Sequence, residues 1–227
     1  MFKKCVIPLG IKGRRFLVET QEAEDWYNPI KWYTKLEYDW VIENVPLDGQ
    51  KILECGGHHG HYSLVLSGEN DLVIVEPHPD NCDIIRKQFI ENMIDDGNHR
   101  IIEGAVSGVR GKAWFTGQTN GRLSSHGTME VDTYRLQDVM PGAGIIKLDI
   151  EGGEYAVLPD AIDSMTKAHT WIIELHPQYG NPNAICNEFL KCGYDALKVC
   201  REHHEVEPYD PLEYWDIHST VIFRRKI

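Results

Sequence analysis

The chain has 227 residues, with 35 acidic against 23 basic side chains and a formal net charge of −12. That balance argues against a partner gripped mainly through phosphates, which needs a basic face, and favours neutral or cationic small molecules, sugars or peptides as substrates. The length suits one domain, or one domain with an appendage, and can bury a substantial core.

The opening MFKKCVIPLGIKGRR holds too short an apolar run for a signal peptide and lacks a small-residue cleavage site. No segment approaches the ~20 apolar residues of a membrane span, so a cytoplasmic location is expected, with no membrane partner. Cys5, Cys55, Cys82, Cys186, Cys192 and Cys200 contain no C-x-x-C pair and read as reduced thiols, not disulfides or a zinc site.

Residues 2–7 and 14–19 alternate as two strands of a short hairpin, and residues 22–45 follow as one or two helices interrupted at Pro29. Residues 1–45 thus form an N-terminal hairpin and helical cap, ahead of a main domain over 46–227. Trp26, Tyr27, Trp32, Tyr33, Tyr38 and Trp40 crowd the cap, either to pack it onto the core or to form a platform or lid over a ligand.

ILECGGHHGHYS, residues 52–63, reads as a buried strand, a glycine turn and the start of a helix. A dinucleotide loop needs G-x-G-x-x-G to seat a pyrophosphate. Here the spacing is E-x-G-x-x-x-G, and Glu54 would repel phosphate. A cationic ligand fits better: S-adenosylmethionine (SAM) carries an ammonium and a sulfonium and no phosphate.

From residue 51 strands and helices alternate. Strands are predicted at 51–55, 71–76, 100–103, 144–149, 170–175, 194–200 and 217–224, and helices at 60–67, 80–96, 152–164 and 183–192. The pattern is that of a doubly wound α/β fold, a mostly parallel sheet with helices on both faces. Within 112–135 two expected strands, KAWFT and TMEVDTY, flank the polar segment GQTNGRLSSHG, a flexible loop over a site. Ligands of such sheets sit beyond the strands' carboxyl ends, where Glu54, Glu76, Asp149 and Glu174 gather. Glu76, just before the strand-stopping Pro77, lies 20 residues after Gly56, where a carboxylate takes ribose hydroxyls. In GIIKLDIEGGEYAVL, Lys147 and Asp149 share a strand face, Glu151 and Glu154 open the next helix, and Pro159 is expected to start a second helical piece.

The segments ECGGHHGHYSL, VIVEPHPDN, EGAVSG, VDTYRLQDV, IIKLDIEGGEYAVL and IIELHP, in this order, resemble the FkbM-type SAM-dependent methyltransferases over roughly residues 36–178, with K-L-D-I-E-G-G-E the most specific piece. The resemblance implies a Rossmann-like class I methyltransferase fold, seven strands with the last reversed, and O-methylation, often of a sugar or natural product. By position, Glu54, Gly56 and Gly60 would shape the methionine end of the SAM pocket, flanked by Tyr62 and Ser63. Glu76, followed by Pro77, would hold the ribose, Ala105 would lie along the adenine, and Asp149 near the sulfonium. The chain departs from the family where Glu54 replaces the usual aspartate and His58 an asparagine.

Methyl transfer to an alcohol needs an aligned nucleophile and a base. Asp149, Glu151, His176 and His126 are the candidate bases, with His176 or Asp149 preferred; an imidazole titrates near neutrality, and a carboxylate would need its pKa raised by burial or by neighbouring carboxylates. Lys147 could instead hold Asp149 charged. Asp149, Glu174 and His176 could also bind a divalent metal that acidifies a hydroxyl, although a metal-free site is preferred. His58, His59 and His61 do not form a familiar ligand set. The competing readings are a nicotinamide oxidoreductase, disfavoured by Glu54, and a catalytically silent SAM-binding module. A nucleic-acid methyltransferase would show an N-P-P-Y-like turn where this chain has D-I-E-G.

Overall fold

The computed structural model describes residues 3–94, 96–212 and 214–226. Its N-terminal part comprises strands β1 (Cys5–Pro8) and β2 (Arg15–Val18) and helices α1 (Gln21–Tyr27) and α2 (Trp32–Asn44). The Thr20 side chain caps α1 by accepting from the backbone N–H of Ala23 at 3.0 Å. The break between the two helices falls at Pro29, as the sequence suggests.

The main alternation runs β3 (Lys51–Cys55), α3 (His61–Leu66), β4 (Asp71–Glu76), α4 (Pro79–Glu91) and β5 (His99–Glu103). After β6 (Ala105–Val106), β7 (Gly111–Phe115), β8 (Met129–Tyr134) and α5 (Leu136–Val139) it resumes with β9 (Ile145–Leu148), α6 (Glu154–Ser164), β10 (Thr170–Leu175), α7 (Pro182–Lys191) and β11 (Tyr194–Cys200). β12 (Glu205–Pro208) and β13 (Ser219–Arg225) follow. Pro79 and Pro182 stand at the starts of α4 and α7, where a missing N–H removes no helical bond.

The main sheet has eight strands, not seven, in the order β12-β11-β13-β10-β9-β3-β4-β5. The extra one, β12, is a short charged EVEP segment that pairs antiparallel with β11 at the sheet edge, and nothing in its composition marks it as a strand. Strands β3, β4, β5, β9 and β10 pair parallel, and β13 runs antiparallel between β10 and β11, so the sheet is mixed. β6, β8 and β7 form a separate three-stranded sheet.

Strand alternation sorts the core into two layers. Leu53, Val73, Val75, Ile146, Leu148, Trp171 and Ile173 pack with Val157, Leu158 and Phe189 of α6 and α7. Ile52, Ile74, Ile145, Ile172 and Ile222 face the opposite way and share one cluster with Phe16, Val18, Tyr27, Tyr38 and Val41 of the cap. The cap therefore covers the sheet face that carries Glu54 and Lys147, which are direct neighbours across β3 and β9. Two local expectations fail along α6. Glu151 precedes the helix in a turn, and Pro159 lies inside α6 instead of starting a new one.

The turn after β3 brings strand ends very close. Gly56 has φ +81°, and a Cβ there would lie 1.7 Å from the backbone oxygen of Asp149. Since Asp149 N–H donates to the Cys55 carbonyl at 3.0 Å, neither backbone can move aside freely. Gly56→Ala is therefore expected to destabilise the protein by roughly 2–5 kcal/mol, from left-handed strain plus overpacking. Urea unfolding would measure it, and a loss below about 1 kcal/mol would contradict the close approach.

Candidate active site

Beyond the carboxyl ends of β3, β4, β9 and β10, where the strand order reverses, lies a cavity of about 1000 Å³. This is the upper end of the ~300–1,000 Å³ typical of ligand sites. Gly56, Tyr62, Glu76, Pro77, Ala105 and Asp149 all line it. Glu54, Gly60 and Ser63 do not; they lie behind its wall.

Glu54 is fully buried and accepts a 2.6 Å hydrogen bond from Ser63 Oγ. Burial pushes its carboxyl up to about 7 against the pull of Lys147. A glutamate at a strand end reads as a ligand contact, but this one is sealed beneath the turn by a serine from the next helix.

Glu76 is also buried, and its carboxylate already ties two turns together. Oε2 accepts from the His58 backbone N–H at 2.9 Å, while Oε1 accepts from His78 N–H at 2.9 Å and Asn81 Nδ2 at 3.1 Å. It still borders the cavity, beside the apolar wall of Pro77, Ala105 and Val106.

Lys147 and Asp149 share a face, as their spacing requires, with Nζ and Oδ2 3.3 Å apart. Burial works against the Lys147 ammonium, but Asp149, Glu54, Glu174 and Glu37 together push it up to about 12. Burial likewise disfavours an ionised Asp149, yet Lys147, His176 and a hydrogen bond with Glu174 bring it down to about 2. Glu174 moves the other way: burial and the Asp149 charge hold it well above the usual carboxylate range. The surroundings thus favour the ionised form of Asp149 and disfavour that of Glu174.

His176 is 3% exposed and directs Nε2 to Glu151 and Nδ1 to Glu154, each 3.5 Å away. Burial opposes its charged form, but Glu154, Asp149 and Glu174 raise it to about 9. For the two preferred bases the surroundings work against proton abstraction, raising His176 and lowering Asp149. Glu151 is different. Burial and the Asp149 charge raise its pKa against the pull of His176 and of Asn120 from the loop, and its φ of +54° is a strained setting of the kind found at functional sites. His126 is exposed and lies off the cavity wall.

Asp149 and His176 bring ligand atoms together with Glu154, not with Glu174 as the sequence suggests. Glu174 is engaged instead by His218 Nε2 at 3.2 Å. The far half of the cavity uses residues the motifs do not mark: Glu37, Arg201, His218 and Thr220. Thr220 alone carries a signal, since it alternates with the buried Ile222 on β13. Of the cap aromatics, Trp26, Tyr27, Tyr33 and Tyr38 line the cavity, whereas Trp32 stacks on His204 with ring centroids 4.0 Å apart.

Residues 54–196, more than half of the chain, match the model of the Methyltransferase FkbM domain. The chain belongs to the FkbM methyltransferase family. The FkbM chain also shares its fold with a SAM-dependent methyltransferase from Agrobacterium tumefaciens, at TM-score 0.59 and 9% identity, covering 100% of this chain and 71% of that one. A TehB-like SAM-dependent methyltransferase from Corynebacterium glutamicum gives TM-score 0.51 and 14% identity over 90% and 96% of the two chains. No curated protein sequence matches the FkbM chain significantly. Among the described residues no helix is long and apolar enough to cross a membrane, and none of the six cysteines forms a disulfide.

Because the folded pKa of His176 is raised from 6.5 to about 9, its contribution to stability is complete below pH 6.5 and lost as pH rises through about 9. Wild type should accordingly lose stability relative to His176→Gln across that window, and the His176 ring should titrate near pH 9 by NMR. A ring midpoint at or below about 7, close to the ordinary imidazole value, would restore His176 as the base.

Proposed function

We propose that this FkbM protein is a SAM-dependent O-methyltransferase acting on a hydroxyl of a small molecule, with sugar-like acceptors the class the cavity suits best. The observation that carries the reading is Glu151: a strained carboxylate of raised pKa at the cavity wall, held between the His176 imidazolium and Asn120.

The donor set fits SAM. An apolar wall of Pro77, Ala105 and Val106 suits an adenine, Glu76 borders it where ribose hydroxyls would be received, and Asp149 offers an ionised carboxylate to a cationic centre. Gly56 and Tyr62 complete this half of the wall, while Glu54, Gly60 and Ser63 shape the turn from behind. Bound SAM supplies a methyl group made electrophilic by its sulfonium.

The chain's own residues then divide the work three ways. Glu151 takes the proton of the acceptor hydroxyl, its raised pKa bringing it nearer the range of an effective general base. His176, protonated and 3.5 Å from Glu151, orients that carboxylate. Lys147 keeps Asp149 ionised. In the acceptor half, Glu37, Arg201, His218 and Thr220 offer donors and acceptors, and Trp26 and Tyr33 offer flat faces, a combination suited to a polyhydroxylated ring. The metal-assisted variant has weaker support, because both ring nitrogens of His176 are already directed at carboxylates. The net charge of −12 favours a free acceptor over nucleic acid.

Calorimetric titration of wild type with SAM and its demethylated product should show binding, weakened at least about tenfold in Glu76→Ala. No binding by wild type would end the methyltransferase reading, and ordinary affinity in the variant would end the ribose assignment. With labelled SAM and a panel of hydroxylated acceptors, Glu151→Gln should lower kcat by about 10²–10⁴, the span of general-base contributions, with cofactor affinity unchanged. Normal turnover in that variant would refute Glu151 as the base.

A further inference from the structure

The turn after β3 carries two adjacent histidines whose arrangement the reaction does not use. His58 takes a left-handed conformation, φ +47°, that lays its ring on that of His59, with centroids 4.0 Å apart and planes 16° off parallel. Both Nε2 atoms consequently meet one residue of the cap: His58 Nε2 is 3.7 Å from Glu22 Oε1, and His59 Nε2 is 3.8 Å from Glu22 Oε2. His59 is 0% exposed, and neither of its ring nitrogens has a hydrogen-bond partner among the described residues. The buried His58 Nε2 also lacks one. Burying such groups without partners costs about 1–3 kcal/mol each, so two orphaned Nε2 atoms facing one carboxylate call for an occupant.

We propose that Glu22, His58 and His59 form a binding site for a divalent transition metal of the zinc type, which fastens α1 to the turn after β3. Two neutral imidazoles and a carboxylate are an established donor set for such ions. Ligand atoms from the three residues lie within 4.8 Å of one another. Tetrahedral bonds of about 2.0–2.1 Å place ligand atoms about 3.3–3.4 Å apart; the two Nε2 atoms stand 3.7 and 3.8 Å from different oxygens of Glu22, and the stacked rings must turn out of parallel for both lone pairs to meet one ion. Neighbouring side chains brace the ligands: Tyr27 Oη lies 2.7 Å from His58 Nδ1, and if it accepts from that N–H, Nε2 is left with its lone pair for the metal. Thr119 Oγ1 donates to Glu22 Oε2, which orients the carboxylate. Glu22 is 25% exposed at its side chain, leaving the fourth position open to water.

The two other groupings of metal-ligating side chains differ. Asp149, Glu154 and His176 belong to the cavity rim, and Cys200, His203 and Glu207 lie near the surface, with His203 Nδ1 already 3.0 Å from Glu207. They supply the controls.

The test is calorimetric titration of chelator-treated, dialysed protein with Zn²⁺, with Co²⁺ absorption as a second readout of the ligand field. One equivalent should bind with sub-micromolar Kd, and Co²⁺ should give the visible bands of a four- or five-coordinate site. Glu22→Gln, close in shape and at a partly exposed position, should weaken binding by more than the roughly 10–100-fold that loss of an outer-shell partner costs. His59→Gln should do the same, while His203→Ala should bind as wild type does. If His59→Gln fails to fold, Glu22→Gln decides. Binding weaker than about 100 μM in wild type, or unchanged affinity in Glu22→Gln, would overturn the site. The readout uses neither SAM nor an acceptor, so failure here and failure of the methyltransferase reading are separate results.

Discussion

The buried ammonium of Lys147 sits among the carboxyl groups of Asp149, Glu54, Glu174 and Glu37, and the charge pattern of the cavity follows from it. Without it, acidic side chains on one sheet face would neutralise themselves by taking up protons, because burial penalises each charge and each charge penalises its neighbours. With it, the ionised form of Asp149 is favoured, while burial and the Asp149 charge raise Glu174. Removing one partner of such a buried group generally costs about 3–5 kcal/mol, since it strands the opposite charges. Lys147 is thus at once a structural and an electrostatic element, held by the Gly56 carbonyl at 3.3 Å as well as by Asp149.

This charge distribution separates groups of similar chemistry into different roles. Asp149 and Glu151 are two residues apart, yet one lies at the ionised extreme and the other is raised, because Lys147 contacts the first while the second faces the charge of Asp149. The carboxylates of Glu154, Asp149 and Glu174 favour the charged form of His176. The close approach at Gly56 sets the geometry: it lets the ends of β3 and β9 converge so that Lys147, Asp149 and the first turn meet at one rim.

Much of this architecture is legible in the sequence because it depends on local pattern. The strand ending at Glu54, the glycine turn, the strand stopped by Pro77, and the same-face placement of Lys147 and Asp149 all follow from two-residue periodicity and turn chemistry. What escapes depends on contacts across the fold. Glu54 looks like a rim ligand until Ser63 and Lys147 cover it. The protonation of His176 is set by Glu154, Asp149 and Glu174, which come from different segments, so no local motif could disclose it. Glu22 shows no motif at all, because its link to the histidine turn exists only once α1 has folded onto β3. The strand β12 escapes as well, since edge pairing, not composition, makes it a strand.

Strand β13 follows β11 in the chain but occupies the slot between β10 and β11. During synthesis, therefore, β10 emerges from the ribosome well before its antiparallel neighbour, and its outer backbone groups remain open to water or to stray strands until residue 219 onward has appeared. Thr220, which lines the cavity and holds Glu37 through a 2.8 Å hydrogen bond, arrives with that same strand. A nascent chain stopped short of it would carry an incomplete cavity wall with an unclosed sheet, making this segment the natural checkpoint between a sticky intermediate and the finished fold.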